Sequence, residues 1–351
     1  MEPVRRALPV AIQPPDWNAE MVSDSTAMTG AALPGGRGDT AVRHAFPDAR
    51  RWLQLGLAAI WLLDGVLQFQ SFMFTKGFSQ LLAGTAAGNP AVVADPISWA
   101  ARLIADHPAA TNSTFATIQV LLGLGIASRR TVKVALAASI FWSLAVWWFG
   151  EGLGGVLPGS ASPVSGAPGA VILYALLAVL LWPADAERND AGPAPFVAAR
   201  PVGTVTAKAT WLVLWGSLAY FAVTPANRTT QGLHDMVAGM ADGEPGWLAA
   251  INRTAASALN HQGLAASIAL AVLLAVIAAG VFLPLPLARA AVILAMLLAL
   301  VIWVAGQDLG AILTGGATDP NSGLLLAVVA AAYWPATAGP ARTPQPQGEA
   351  A

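Results

Sequence analysis

Asp64 is the only acid deep inside a long apolar stretch, "WLQLGLAAIWLLDGVLQFQ", about twelve residues from its start. At a rise of about 1.5 Å per residue, that position is near mid-depth of a helix crossing a bilayer. A carboxyl there is costly and is expected to face a cavity or a partner. Gln68 follows one helical turn later on the same face, and Gln119 is the polar residue of a second apolar stretch. Together they form either a pocket for a proton, an ion or a polar head group, or an interhelical hydrogen-bond clamp. A second set of candidates lies in two glycine-acid phrases, "GEGLGGVLPGSASP" from Gly150 and "GQDLGAILTGGATDP" from Gly306. Glu151 and the pair Gln307–Asp308 each end an apolar run. They could converge on an outward vestibule that binds a cation or protonates a ligand, or they could be solvated helix ends. Carboxylates at a helix C-terminus oppose its dipole, so some compensation is expected. Trp147 and Trp303 precede the two phrases. They could stack on a flat ligand such as a quinone, or belong to the usual interfacial tryptophan belt.

Other chemistry is narrower. His234, Met236 and Met240 spell H-x-M-x-x-x-M, a weak soft-metal pattern with His261 nearby. Spacings of two and six do not put all three on one helical face. The remaining histidines, His44 and His107, also lie outside the apolar runs, so the pattern excludes a bis-histidine haem. The chain has no cysteine, which excludes disulfides, thiolate metal sites and iron–sulfur clusters on it. "GEGLGG" also satisfies G-x-G-x-x-G, but a dinucleotide site needs a preceding strand in a βαβ unit. Here an apolar helix precedes the glycines, and close packing and a tight turn explain them better. No nucleophile–base pair stands out, which weighs against a membrane enzyme acting on lipid or quinone.

These residues are positioned by an unusual chain. It has 351 residues, 56% hydrophobic and only 11% charged, against about 25% charge in soluble domains. The apolar residues come in blocks that suit bilayer-spanning helices. Eight blocks can be marked: 52–73, 114–128, 132–150, 167–182, 209–224, 263–282, 288–305 and 322–335. Fourteen Lys and Arg residues fall on the side of the termini, including Arg5, Arg6, Arg50, Arg51, Arg129, Arg130, Lys133 and Arg289. Only Lys76, Arg102, Arg228 and Arg253 fall on the other. The positive-inside rule then places both termini in the cytoplasm, with the protein in a bacterial inner membrane. Ala, Gly and Pro abundance suggests a GC-rich bacterium. A net charge of −1 gives no sign of a nucleic-acid partner. Outward-facing segments 75–112 and 225–262 are too polar to span and read as short amphipathic helices at the interface.

The two phrases mark a repeat. Gly150, Leu153, Gly154, Leu157, Gly159 and Ala161 meet Gly306, Leu309, Gly310, Leu313, Gly315 and Ala317. Upstream Trp147 meets Trp303, and "GFSQLLAG" ending at Gly84 meets "GLHDMVAG" ending at Gly239. Downstream "LLWP" ending at Pro183 meets "AYWP" ending at Pro335. Asp64 has no counterpart, because Ala219 holds its place. The expected organisation is an all-α membrane protein of two parallel four-helix repeats related about the membrane normal. They cover 51–184 and 208–337, with a cytoplasmic linker at 185–207 and disordered tails at 1–50 and 338–351.

Each unit resembles the DoxX-like family of four-helix membrane proteins. The resemblance is carried by "LLGLGIASRRTVKVAL" (121–136), a helix running into a glycine and a basic turn, and by "WLLDGVLQFQ" (61–70). It covers most of 51–183. It implies a non-catalytic membrane subunit or partner of an outward-facing redox or assembly system, binding a lipophilic ligand such as quinone or lipid, or an extracytoplasmic partner protein. Any thiol chemistry would sit on that partner. A small-molecule or ion transporter using Asp64, Glu151 and Asp308 is the alternative reading of the residues.

Overall fold

The structure is a computed structural model and describes residues 48–184 and 194–336. The segments expected to be disordered tails lie almost entirely outside the described residues. Among the described residues the chain forms helices and turns, with no strand.

The first half begins with α1 (Ala49–Leu67), followed by a 3-10 turn and the short helices α2 (Lys76–Gly84) and α3 (Ala91–Asp106). Then come α4 (Pro108–Ala127), α5 (Val132–Phe149) and, after a long glycine-rich loop, α6 (Ala170–Leu180). Pro108 opens α4 at the position where a missing N–H costs nothing. A short turn, α7 (Ala199–Val202), leads to α8 (Thr204–Ala222). The second half continues with α9 (Gly232–Gly239), α10 (Gly246–Leu259), α11 (Gly263–Gly280) and α12 (Leu285–Ala305). It ends with the turn α13 (Asp308–Ala311) and helix α14 (Asn321–Ala332).

Among the described residues four helices are long and apolar enough to cross a membrane: α4, α5, α11 and α12. Two more apolar helices are short, α6 with 11 residues and α14 with 12. At about 1.5 Å per residue they reach roughly 17 Å, well short of a hydrocarbon core of about 30 Å. The expected span at 167–182 is therefore helical only over Ala170–Leu180, and a loop precedes it. That loop is no surface excursion, since Ala161, Ser162 and Ala167 are buried.

Within the first half α1 packs on α4, α4 on α5 and α5 on α6, while α3 joins α2 and leans on α4 and α5. Within the second half α8 packs on α11, α11 on α12, α12 on α14 and α9 on α10. The halves meet through α6 on α14 and α1 on α14. Small residues permit the tightest crossing. A Cβ on Gly123 of α4 would lie 2.9 Å from the Ala58 carbonyl oxygen of α1. In an apolar solvent such close approach drives helix association, because burial alone gains little. Polar side chains finish the helix ends. The Arg51 guanidinium donates to the carbonyls of Ile126 and Ala127 at the end of α4, and Gln54 Nε2 donates to the Leu181 carbonyl (2.8 Å).

The segment read as a linker is part of the bundle from residue 194 onward. Phe196 packs on Tyr333 with ring centroids 5.0 Å apart, and the Ala198 N–H donates to the Ala332 carbonyl. Its first part, 185–193, lies outside the described residues. The outer segments do form helices, α2 with α3 and α9 with α10. Val93, Ile97, Ala101 and Ile104 of α3 are buried while Val92, Trp99 and Leu103 are exposed. The exposed face of α3 thus carries large apolar side chains beside the charged Asp95, Arg102 and Asp106.

Candidate functional site

A cavity of about 1100 Å³ opens in the first half, between α1, α2, α3, α4, α5 and the loop after α5. Its walls are mainly apolar. Trp61, Phe78, Ile104, Phe115 and Trp142 line the interior, and Phe115 and Trp142 lie 5.6 Å apart by ring centroid. Leu81, Trp99, Leu103 and Phe149 line it and are also exposed, so they mark its mouth.

Asp64, Gln68 and Gln119 all line this cavity. Helical spacing on α1 puts the first two one turn apart, and the close α1–α4 packing brings in the third. Asp64 is only 1% exposed. Its Oδ2 accepts a hydrogen bond from the Tyr174 hydroxyl of α6 (2.5 Å), while its Oδ1 has no partner. The oxygens Gln68 Oε1 and Gln119 Oε1 have none either. One oxygen of Asp64 is thus clamped to Tyr174, and the other is buried without a partner.

Glu151 enters the same wall by a route the sequence does not display. It follows α5, yet its Oε1 accepts from the N–H groups of Ala170 (3.0 Å) and Val171 (3.2 Å) at the start of α6. The compensation expected for an acid at a helix C-terminus is thus the N-terminus of the next helix. The left-handed Leu153 and Gly154 (φ 57° and 64°) turn the loop back, and a Cβ on Gly154 would sit 2.1 Å from the Pro168 oxygen. Glu151 Oε2 is buried without a partner. Burial first, and the nearby Asp319 second, push the Glu151 carboxyl up to about 8, against the two N–H bonds that lower it.

Asp319 escaped the sequence reading. It lies in the loop before α14, in the second half, and reaches the first half's cavity with Thr318 and Asn321. Its oxygens accept from Thr318 Oγ1 (2.7 Å) and the Asn321 N–H (2.8 Å). Burial raises its carboxyl despite those bonds. Three carboxyls thus line one cavity, and among the described residues no Lys, Arg or His joins them.

The remaining candidates lie elsewhere. Gln307 does for α14 what Glu151 does for α6: its Oε1 accepts from the Gly323 N–H (2.9 Å). Its Nε2 donates to Ser322 Oγ (3.0 Å) and the Pro163 carbonyl (3.3 Å). Trp147 Nε1 donates to the Pro168 carbonyl (2.8 Å) and Trp303 Nε1 to that of Pro320 (2.7 Å). Neither indole lines the cavity; each ties one helix to the proline before another. Asp308 is buried beside Glu244 and Asn252, and burial, then Glu244, push its carboxyl up to about 7. The two phrases therefore do not share one vestibule: Glu151 faces Asp319, and Asp308 faces Glu244. His234 Nδ1 lies 2.9 Å from Asp235 Oδ1, and His261 Nδ1 lies 3.3 Å from Gln231 Nε2. Among the described residues no three His, Asp or Glu side chains gather in a way that could hold a metal. The chain matches no family model, no curated protein and no solved structure.

Proposed function

We propose that this chain is an eight-span bacterial inner-membrane protein that binds a lipophilic small molecule in the cavity of its first half, without doing chemistry itself. The single observation that carries this is the cavity: about 1100 Å³, aromatic and aliphatic walls, an apolar mouth, and buried polar oxygens at its inner side. Sites for small molecules have this mix of apolar surface and few polar groups.

The eight-span, two-repeat architecture rests on paired details. Trp147 with Pro168 and Trp303 with Pro320 make the same bond, and Glu151 and Gln307 cap the following helix with the same oxygen. Leu153 with Gly154 and Leu309 with Gly310 take the same left-handed turn. Helices α6 and α14 would cross with the buried residues just before them, such as Ala167 and Ala317, completing the depth inside the bundle. The basic residues Arg129, Arg130, Lys133 and Arg289 lie at the α4–α5 and α11–α12 turns, which supports a cytoplasmic placement of both turns and both termini. The DoxX-like resemblance favours a role as a membrane subunit or partner of an outward-facing redox or assembly system. A transporter is the second reading, favoured by Asp64, Glu151 and Asp319 along one cavity.

The test is native mass spectrometry of the chain extracted from its own membrane in mild detergent. A bound amphiphile is expected in the wild type and is lost when Ala145→Trp projects an indole into the cavity at unchanged thermal stability. An indole there that leaves binding intact would sink the reading. A stoichiometric protein partner in the same preparation would assign the subunit role; proton-driven uptake in vesicles would assign transport.

A further inference from the structure

We propose that the ligand of this cavity is a lipophilic cation, with its charge near Asp64, Glu151 and Asp319 and its hydrocarbon against Trp61, Phe115 and Trp142. The inference rests on the reading of the cavity as a ligand site and adds the sign of the ligand's charge.

Three observations point the same way. The wall holds three carboxyls and, among the described residues, no cationic side chain. Five oxygens in that wall accept no hydrogen bond: Asp64 Oδ1, Gln68 Oε1, Asn89 Oδ1, Gln119 Oε1 and Glu151 Oε2. Among equally buried donors of the wall residues, only Trp142 Nε1 lacks a partner. Buried polar groups without partners are rare in native proteins and call for an explanation. A phosphate or carboxylate head would find no counter-charge in that wall and would be repelled by each carboxyl that ionises. A cation meets carboxyl oxygens at that wall, and the rings of Trp61, Phe115 and Trp142 take its hydrocarbon.

Protons compete for the same oxygens. Asp64 is faced by the Tyr174 hydroxyl and by Asp319; Glu151 is faced by Asp319 and the Ala170 and Val171 N–H groups. Since the Glu151 carboxyl rests near 8, a bound cation displaces a proton from it at neutral pH. Affinity therefore rises as pH climbs toward that value.

The experiment uses the full chain in dodecyl maltoside and isothermal titration with three probes of similar shape: tetraphenylphosphonium, neutral triphenylphosphine oxide and anionic tetraphenylborate. Heats are taken as the difference from Ala145→Trp, which removes detergent partitioning. The cation is expected to bind at least tenfold more tightly than the neutral probe, with no measurable binding of the anion. Its affinity should rise at least tenfold from pH 6 to pH 8.5. Asp64→Asn should weaken it at least tenfold. Glu151→Gln should flatten the pH dependence; Gln307 already makes the equivalent cap, so this variant is expected to fold. Equal binding of neutral and cationic probes, lost with Ala145→Trp, would overturn the charge assignment and leave the cavity reading standing. So would anion binding or a pH-independent affinity. If no probe binds above the Ala145→Trp background, both fall.

Discussion

Glu151→Gln should make this protein more stable at high pH and leave it unchanged at low pH. Glu151 sits with one oxygen on the Ala170 and Val171 N–H groups and the other buried without a partner. Its carboxyl moves from an ordinary 4.5 to about 8, chiefly through burial. A raised carboxyl holds more protons in the folded than in the unfolded state between those two values. Wild-type stability from this group is therefore complete below 4.5 and is lost as pH rises through about 8. At about 1.4 kcal/mol per unit, the loss amounts to roughly 5 kcal/mol across the window. A glutamine keeps the accepting oxygen, as Gln307 does with Gly323, and carries no charge to desolvate. The two proteins should unfold together at pH 4.5. By pH 8.5 the variant should lead by about 10 °C, taking roughly 2 °C per kcal/mol for a chain of this size. The assay is ligand-free thermal unfolding in detergent, followed by tryptophan fluorescence from pH 4.5 to 8.5. Asp308 and Asp319 keep some slope in both proteins, so the difference between the two is the quantity to read. Parallel curves would refute the desolvation account. A variant weaker by several degrees at every pH would show that the charge itself holds α6.

Other consequences follow from single contacts. Gly154→Ala and Gly310→Ala would each force a Cβ into backbone, 2.1 Å from the Pro168 oxygen and 2.4 Å from the Pro320 carbonyl carbon, at φ of 64° and 79°. Each should cost about 3 kcal/mol or more in unfolding measurements, and a cost under about 0.5 kcal/mol would contradict the turn geometry. Tyr174→Phe removes the donor to Asp64 Oδ2 and should destabilise by about 1–3 kcal/mol; a neutral effect would mean that water replaces the hydroxyl. Because the chain has no cysteine, single cysteines report its topology cleanly. Arg130→Cys should react with an impermeant maleimide only in inverted vesicles and Leu157→Cys only in intact cells, and labelling of both from one side would refute the orientation.

Local sequence carried the helices because bilayer-length apolar runs and breakers such as Pro108 act on their immediate neighbours. Helical spacing puts Asp64 and Gln68 one turn apart on one face, and a single helix contact, α1 on α4, adds Gln119 to the same cavity. The short blocks marked at 167–182 and 322–335 correspond to α6 (Ala170–Leu180) and α14 (Asn321–Ala332). Local sequence did not carry the path of the loops at 150–169 and 306–320, which left-handed residues such as Leu153, Gly154, Leu309 and Gly310 fold back. Nor did it carry the caps. Glu151 serves a helix that starts 19 residues later, and only the folded-back loop brings its oxygen there. The indoles of Trp147 and Trp303 look free for a ligand in the sequence, yet the same loops present them with proline carbonyls. Asp319 is the sharpest case. Nothing near it in the chain marks it as part of a site, and it enters the first half's cavity only because α14 packs against α1 and α6. Composition and periodicity are local properties that fix where helices form. Which polar groups share a buried cavity depends on contacts between segments more than a hundred residues apart, and those exist only once the bundle has closed.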